Sequence, residues 1–362
     1  MAQNKILFII NGLGYGGAET HLLRLSNALL DKNWKVSLIT MNNDLQLVNK
    51  LDKRIMHYKL KFSTSSTLLN LFKLFKIIRL EQPKLIHAHL FQANILSRFI
   101  KFFNSDIFTI NTTHGSYLLN IRKYNPYFIY RITRKWVDYH TAVSNEVLEL
   151  LICNKSIPSK KIQFLPNGIN LSKLKPKISK TDKFLWLSAG RLLPVKDFSN
   201  LITACYIVRE KTKNFELHIA GDGVDKNNLS KLIKRLKLQD NVKLIGLQPN
   251  MTELMPQYDS FVISSCSEGL PMVLLEAMSV GLPIVSTKVG QVPSILNHSN
   301  GGILVEPKDS ERLADGMITM MSLDSKKIEK MQRANFEYIK THFDINVLAD
   351  SWIKIYLQRH VN

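Results

Sequence analysis

The sequence predicts an α/β protein built from two doubly wound parallel sheets. Three observations carry this expectation. Short, nearly continuous apolar runs alternate with segments whose apolar residues recur every three or four positions, the pattern of strands covered by helices on both faces. There are twelve such runs, too many for one compact sheet of this kind. Each half of the 362-residue chain also opens alike, with a strand, a glycine-containing loop and a helix.

In the first half, strands are expected at Lys5–Ile10, Lys35–Thr40, Leu85–Ala88, Phe108–Thr113, His140–Val143 and Ile162–Leu165. The first of these runs into the loop Asn11–Gly17, and Leu22, Leu23, Leu25, Ala28 and Leu29 mark the helix that follows. A boundary is placed near Pro166-Asn167-Gly168, ahead of the strandless, lysine-rich stretch Ser172–Lys183. The second half repeats the pattern with strands at Phe184–Ala189, Glu216–Ala220, Val242–Ile245, Ser260–Ser264, Ile284–Thr287 and Ile303–Val305, the first leading into the loop Gly190–Asp197. The expected domains are residues 1–170 and 171–345. Both are Rossmann-like, with ligands beyond the carboxyl ends of the strands and a cleft where the two domains face each other.

Composition narrows the class. With 45% hydrophobic and 22% charged residues the chain can bury sizeable cores, which excludes disorder for most of its length. Apolar runs such as Ile6–Ile10 are far too short for a membrane span or a signal-peptide core. Cys153, Cys205 and Cys266 lie far apart without a CxxC pair, so a reduced, cytoplasmic protein with no disulfide or zinc framework is expected. The net charge is +20 and uneven: residues 1–170 hold 23 basic and 9 acidic side chains, and residues 171–362 hold 26 and 20. Residues 53–80 carry seven basic residues and no acid, and residues 107–137 carry five and none. Such a field attracts phosphates, nucleic acid or an anionic membrane surface.

The most informative segment runs from Ser264 to Pro283, SSCSEGLPMVLLEAMSVGLP. Pro271 suits the first position of a helix and Gly281 its C-terminal stop, so a helix is expected from about Pro271 to Val280. Glu268 then precedes the helix and Glu276 falls in its second turn. Amides at Gly269, Leu270 and the first turn can cradle a phosphate, with a carboxylate on each side to hold sugar or ribose hydroxyls. Arg191 and Lys196, in the loop after the first strand of the second half, suit a diphosphate. The loop Gly12-Leu-Gly-Tyr-Gly-Gly-Ala-Glu19 lacks the GxGxxG spacing of a dinucleotide fingerprint, but its amides, at Gly16 and Gly17 in particular, can approach an anion. Gly221-Asp-Gly223 is a tight turn at a strand end. His114 follows the strand Phe108–Thr113. No P-loop, HExxH, GxSxG or DxD is present, so no metal ligand set and no cofactor are expected.

Together these residues resemble the retaining GT-B-fold glycosyltransferases of family 4 over nearly the whole chain. Glu268 and Glu276, seven residues apart within EGLPMVLLEAMSVGLPIV, are the most specific element. GGAE (16–19), Val143-Ser144, PNGI (166–169), GRLLPVK (190–196), AGDG (220–223) and GGILVEP (301–307) support it. The resemblance implies a hexose or N-acetylhexosamine moved from a nucleotide diphosphate sugar, UDP favoured and GDP-mannose second, to a glycan or lipid-linked saccharide in bacterial surface polysaccharide synthesis. It implies that Glu276 holds the ribose, Glu268 touches the donor sugar, and Arg191 and Lys196 neutralise the departing diphosphate. The amides at Gly16–Gly17 and Gly269–Leu270 would close over the phosphates, and His114 would lie near the sugar. It further implies a last helix, within 346–362, returning to the first domain. Two departures stand out: Gly115 where a carboxylate often follows the histidine, and Asp197 where glycine is frequent.

No side chain stands out as a nucleophile, so same-face attack is expected, with cations and helix amides stabilising the leaving group and hinge motion near Asn167–Asn170 excluding water. The basic, apolar segments Leu68–Leu80 and Ile121–Trp136 fit a peripheral position on anionic lipid. A sugar-nucleotide 2-epimerase and a basic binding protein are the competing classes. No recognisable nucleic-acid module is present.

Overall fold

The computed structural model describes residues 4–62, 67–115, 125–171 and 183–358. Residues 172–182 of the lysine-rich stretch and 121–124 of the basic segment before Trp136 lie outside them. The chain divides into two compact units, Met1–Asn170 with Ile345–Asn362, and Leu171–Asp344.

The first unit holds a seven-stranded parallel sheet: β1 (Lys5–Ile10), β2 (Lys35–Thr40), β3 (Met56–Lys59), β4 (Leu85–His89), β5 (Phe108–Thr113), β6 (Tyr139–Ala142) and β7 (Ile162–Phe164). Their order is β3-β2-β1-β4-β5-β6-β7, so the winding reverses between β1 and β4. The connecting helices are α1 (Gly17–Asp31), α2 (Thr67–Glu81), α3 (Phe91–Phe103), α4 (Pro126–Ile132) and α5 (Asn145–Cys153). Strand β3 was not expected from the sequence. Its residues Met-His-Tyr-Lys are mostly polar and half exposed, because it sits at the sheet edge, where no apolar run is needed.

Alternation along β1 sorts the core. Ile6, Phe8 and Ile10 face a cluster with Leu22, Leu25 and Leu29 of α1, and Leu7 and Ile9 face one with Leu74 and Ile78 of α2 and Leu96 and Ile100 of α3. The last helix of the chain, here α13 (Ile345–Leu357), joins the α1 side. Its buried residues Ile345, Leu348, Ala349, Trp352, Ile355 and Tyr356 recur at three- and four-residue spacing. The Tyr356 hydroxyl lies 2.9 Å from His87 Nδ1 on β4, and the Ile345 amide donates to the Ile169 carbonyl at 2.9 Å.

The second unit holds six parallel strands: β8 (Phe184–Ala189), β9 (Phe215–Ala220), β10 (Val242–Gly246), β11 (Ser260–Ile263), β12 (Ile284–Thr287) and β13 (Gly302–Val305). In the order β10-β9-β8-β11-β12-β13 the reversal lies between β8 and β11. Helices α6 (Phe198–Lys211), α7 (Lys226–Arg235), α8 (Met251–Leu254), α9 (Met272–Ser279), α10 (Val292–Ser299), α11 (Ser310–Met321) and α12 (Ser325–His342) complete it. Helix α9 starts one residue later than the sequence suggested. Pro271 is its N-cap, with extended ψ of 112°, and Gly281 ends it at φ +82° as a glycine stop should.

Candidate active site

In an open parallel sheet, the loops beside the reversal point part from each other and leave a crevice at the strands' carboxyl ends. In the second unit those are the loops after β8 and β11, which carry Arg191 and Lys196, and Glu268. The structure joins them. Lys196 Nζ donates to Glu268 Oε1 in an ion pair, and Ser265 Oγ donates to the same oxygen at 2.7 Å. The Ser264 hydroxyl donates to the Lys196 carbonyl at 2.9 Å, and the Cys266 amide to the Val195 carbonyl at 2.9 Å. Two cationic and acidic loops 72 residues apart are thereby stitched into one surface.

Each loop has a local reason for its shape. Pro194–Lys196 forms a 3₁₀ turn, closed by Asp197 at φ +49°. That left-handed backbone is one glycine adopts without strain. Asp197 meets the requirement and its carboxylate also caps α6 by accepting from the Asn200 amide at 3.3 Å. Gly221, at φ +142°, lies so close to the Gly190 carbonyl that a Cβ there would sit 1.9 Å from the oxygen, and at Gly223 it would sit 2.4 Å from the Leu192 carbonyl oxygen. The expected Gly221-Asp-Gly223 turn therefore props the Arg191 loop from beneath; Arg191 itself is exposed.

The acidic loop is held from its other side. Thr287 Oγ1 donates to the Ser265 carbonyl at 2.7 Å and the Gln291 amide to the Gly269 carbonyl at 2.9 Å. Gly290, at φ +51°, packs under this loop, where a Cβ would meet the Glu268 and Gly269 carbonyl oxygens, each at 2.3 Å. Sequence reading missed Gly290 and Ser265; a lone glycine after a strand gives no signal of what it touches. Gly290→Ala is expected to shift the acidic loop and lower kcat/KM by about tenfold to a hundredfold, as misplacement near 1 Å does, while the circular dichroism of the sheet is kept. Unchanged kinetics would show that the loop position is not critical.

Beyond Gly269 and the buried Leu270, helix α9 begins. The amides of Met272 and Val273 open it, where no intrahelical acceptor is available, and the helix dipole adds partial positive charge. Glu276 lies half-buried one turn further along.

The first unit places its chemistry at the reversal between β1 and β4. The glycine loop after β1 is tight: a Cβ at Gly14 would sit 2.1 Å from an Asp44 carboxylate oxygen, and one at Gly16 2.2 Å from a Glu19 oxygen. Gly16 is the N-cap of α1 and Gly17 its first residue. His114, just past β5, lies 2.9 Å through Nε2 from Nδ1 of His89, at the end of β4. His21 on α1 completes a group of three, its ring 6.1 Å from His114 and 6.2 Å from His89. The Gly168 amide donates to His21 Nδ1 at 3.1 Å, so neutral His21 carries its proton on Nε2. His21 Nε2, His89 Nε2 and His114 Nδ1 are buried without a hydrogen-bond partner. Burial pushes the pKa of His21 and His89 well below the ordinary value and that of His114 to about 3, so all three are neutral at pH 7. The sequence singled out His114 alone; His21 and His89 are distant from it in the chain, and nothing local to either signals that they meet it.

Of the expected site residues, the structure brings Lys196, Glu268, Gly269 and Leu270 together, props the Arg191 loop on Gly221 and Gly223, and keeps Glu276 on the adjoining helix. Gly16, Gly17 and His114 belong to the first unit.

Two doubly wound parallel-sheet units, each with its polar constellation at a reversal point, place the molecule among the GT-B glycosyltransferases, which draw their sugar from a nucleotide carrier. Comparison with known proteins gives the family. The profile of glycosyl transferases group 1 matches residues 172–338 and that of glycosyltransferase family 4 matches residues 15–173, so the chain belongs to this family. It is 24% identical over 315 residues to the UDP-Gal:alpha-D-GlcNAc-diphosphoundecaprenol alpha-1,3-galactosyltransferase of Escherichia coli, covering 81% of this chain and 80% of that one. In fold it is similar to a glycosyltransferase from Rickettsia africae (TM-score 0.85, 21% identity, 100% of both chains). It is also similar to Anabaena HepE in complex with UDP (TM-score 0.81, 19% identity, 97% of this chain and 99% of that one).

Proposed function

We propose that this glycosyltransferase moves a hexose or N-acetylhexosamine from a UDP-sugar, with GDP-mannose the second choice, to a glycan or lipid-linked saccharide in the assembly of a bacterial surface polysaccharide. It does so as a hexosyltransferase with retention of configuration. The observation that carries the reading is the Lys196–Glu268 pair, set between the Arg191 loop and the amides that open α9. The UDP bound to HepE and the UDP-galactose donor and diphosphoundecaprenol acceptor in the name of the E. coli relative support the choice of ligands.

In this reading the second unit binds the donor. Arg191, Lys196 and the amides from Gly269 into α9 receive the diphosphate, Glu276 holds the ribose, and Glu268 a hydroxyl of the donor sugar. Gly16 and Gly17, opening α1, add amides for the phosphates, and His114 contributes a neutral imidazole beside the sugar. The first unit binds the acceptor. As the anomeric C–O bond breaks, its electron pair stays with the diphosphate, where Lys196 and Arg191 meet the new charge. The acceptor hydroxyl forms the new bond on the face the diphosphate leaves, and its proton passes to a diphosphate oxygen. These cations supply the charge for which other transferases use a divalent ion, so the enzyme works without metal or other cofactor. Among the described residues no helix is long and apolar enough to cross a membrane; the proposed location is cytoplasmic, peripheral to the inner face of the membrane.

Thermal unfolding with UDP, GDP, ADP and CMP, each with and without EDTA, tests this. Ligand at ~100 times its Kd stabilises by about 2.7 kcal/mol. A shift with UDP that survives EDTA and disappears in Glu276→Ala is the expected result. A shift with GDP alone would move the donor to GDP-mannose. A shift abolished by EDTA would overturn metal independence, and no shift with any nucleotide would overturn the donor site.

A further inference from the structure

The face of the first unit covered by α2 and α3 leaves large aromatic side chains in solvent. Phe72 on α2 is 75% exposed, and Phe102 and Phe103, ending α3, are 56% and 57% exposed. The rings form one continuous ridge across three elements. Phe75 of α2 lies 6.2 Å from Phe99 and 5.9 Å from Phe103; Phe99 and Phe103 are 5.0 Å apart, Phe103 and Phe102 4.9 Å, and Phe102 and Trp136 4.9 Å. A monomeric protein seldom leaves such a patch unused. The segments that bear it also carry exposed cations: Lys73, Lys76 and Arg79 on α2, and Arg131, Arg134 and Lys135 just before Trp136 in the chain. Neither 67–80, α3 nor 125–136 contains an acidic residue.

We propose that this ridge and its cations are the surface by which the first unit inserts into the headgroup layer of an anionic bilayer. The inference deepens, and rests on, the reading of the enzyme as a transferase to a lipid-linked acceptor. Aromatic rings, tryptophan above all, favour the boundary between headgroups and acyl chains, and lysine and arginine at that depth meet anionic lipid phosphates. A second copy of this chain fits the patch poorly, since a two-fold contact would place like charges against each other. The sequence had pointed to α2 and the segment before Trp136 as separate stretches. The end of α3 joins them into one surface, which neither stretch makes alone.

Tryptophan fluorescence tests it directly. Trp34, Trp186 and Trp352 are buried, and Trp136 alone of the four is partly exposed. Titration with phosphatidylglycerol/phosphatidylcholine vesicles is expected to shift the Trp136 emission to the blue, with quenching by brominated acyl chains and no signal in Trp136→Phe. Phosphatidylcholine alone should bind at least ~10-fold more weakly. Lys73→Glu/Lys76→Glu/Arg79→Glu should weaken binding on the order of a hundredfold. Phe102→Ser/Phe103→Ser, at exposed positions that do not threaten the core, should abolish the quenching. Equal binding to neutral and anionic vesicles, or unaltered quenching in the phenylalanine variant, would overturn the proposal. So would concentration-dependent self-association that this variant removes, which would assign the ridge to a second copy. The UDP-induced thermal shift, run on the same samples, separates the two readings: lost lipid binding with the shift intact sinks only the membrane surface, and a lost shift sinks the donor site.

Discussion

Lowering the pH from 7 to 5 is expected to unfold the first unit while the second remains folded. His21, His87, His89 and His140 are buried in the first unit, and burial pushes each pKa well below its ordinary value. Neighbouring imidazoles and, for His140, the Arg98 guanidinium act in the same direction. His114, partly exposed at its strand end, follows them at about 3. The unfolded chain binds these protons near pH 6.5 and the folded unit does not, so the histidines leave stability intact above that pH and lower it progressively below. A histidine held neutral at pH 5 costs about 2 kcal/mol there. Four or five together amount to most of the 5–15 kcal/mol by which a typical domain is stable. The second unit's His218, His298 and His342 are not buried in this way. Hydrogen exchange read separately on β1, β4 and β5 and on β8, β11 and β12 checks the outcome. His87→Gln, which can keep a hydrogen bond to Thr112 or Tyr356 without a titrating group, should make the pH slope shallower by one proton. Equal protection of both units at pH 5 would mean the imidazoles take up protons within the fold.

Lys196→Ala is expected to lower kcat and kcat/KM alike by about 10²–10³, the loss seen when a preorganised group facing developing negative charge is removed. It should also destabilise the second unit by about 1–3 kcal/mol, because Glu268, whose side chain is 12% exposed, then keeps only the Ser265 hydroxyl. The two effects can be separated. Glu268→Gln added to Lys196→Ala removes the stranded charge and should restore the melting temperature, but not the rate. Restoration of both would reduce Lys196 to a structural partner of Glu268. A double-mutant cycle on the rate should be strongly non-additive, since the side chains act as one unit.

Much of the fold is legible in the sequence because parallel strands buried on both faces must be apolar almost throughout. Lys5–Ile10 and Phe184–Ala189 coincide with β1 and β8 for that reason. Strand β3 is not legible, since an edge strand has little to bury. At the site, the glycine turns and the helix stop at Gly281 follow from local backbone needs. What the sequence hides is convergence: Lys196 finds Glu268, and His114 finds His89 and His21, only because the strand order sets particular loop ends side by side. The aromatic ridge is hidden similarly, as Phe99, Phe102 and Phe103 lie far in the chain from the α2 and Trp136 rings that they meet.

The placement of α13 in the first unit also orders events at the ribosome. Domains generally fold from the N-terminus as they are synthesised, yet Trp352 and Tyr356 belong to the core beneath β1 and β4, and the chain must run through the whole second unit before they emerge. The second unit therefore completes first, and the earlier-made one waits with one helix missing and the apolar face of α1 uncovered. Nascent chains stalled before residue 345 should engage chaperones through that face, and release on addition of α13 would mark the last step of assembly.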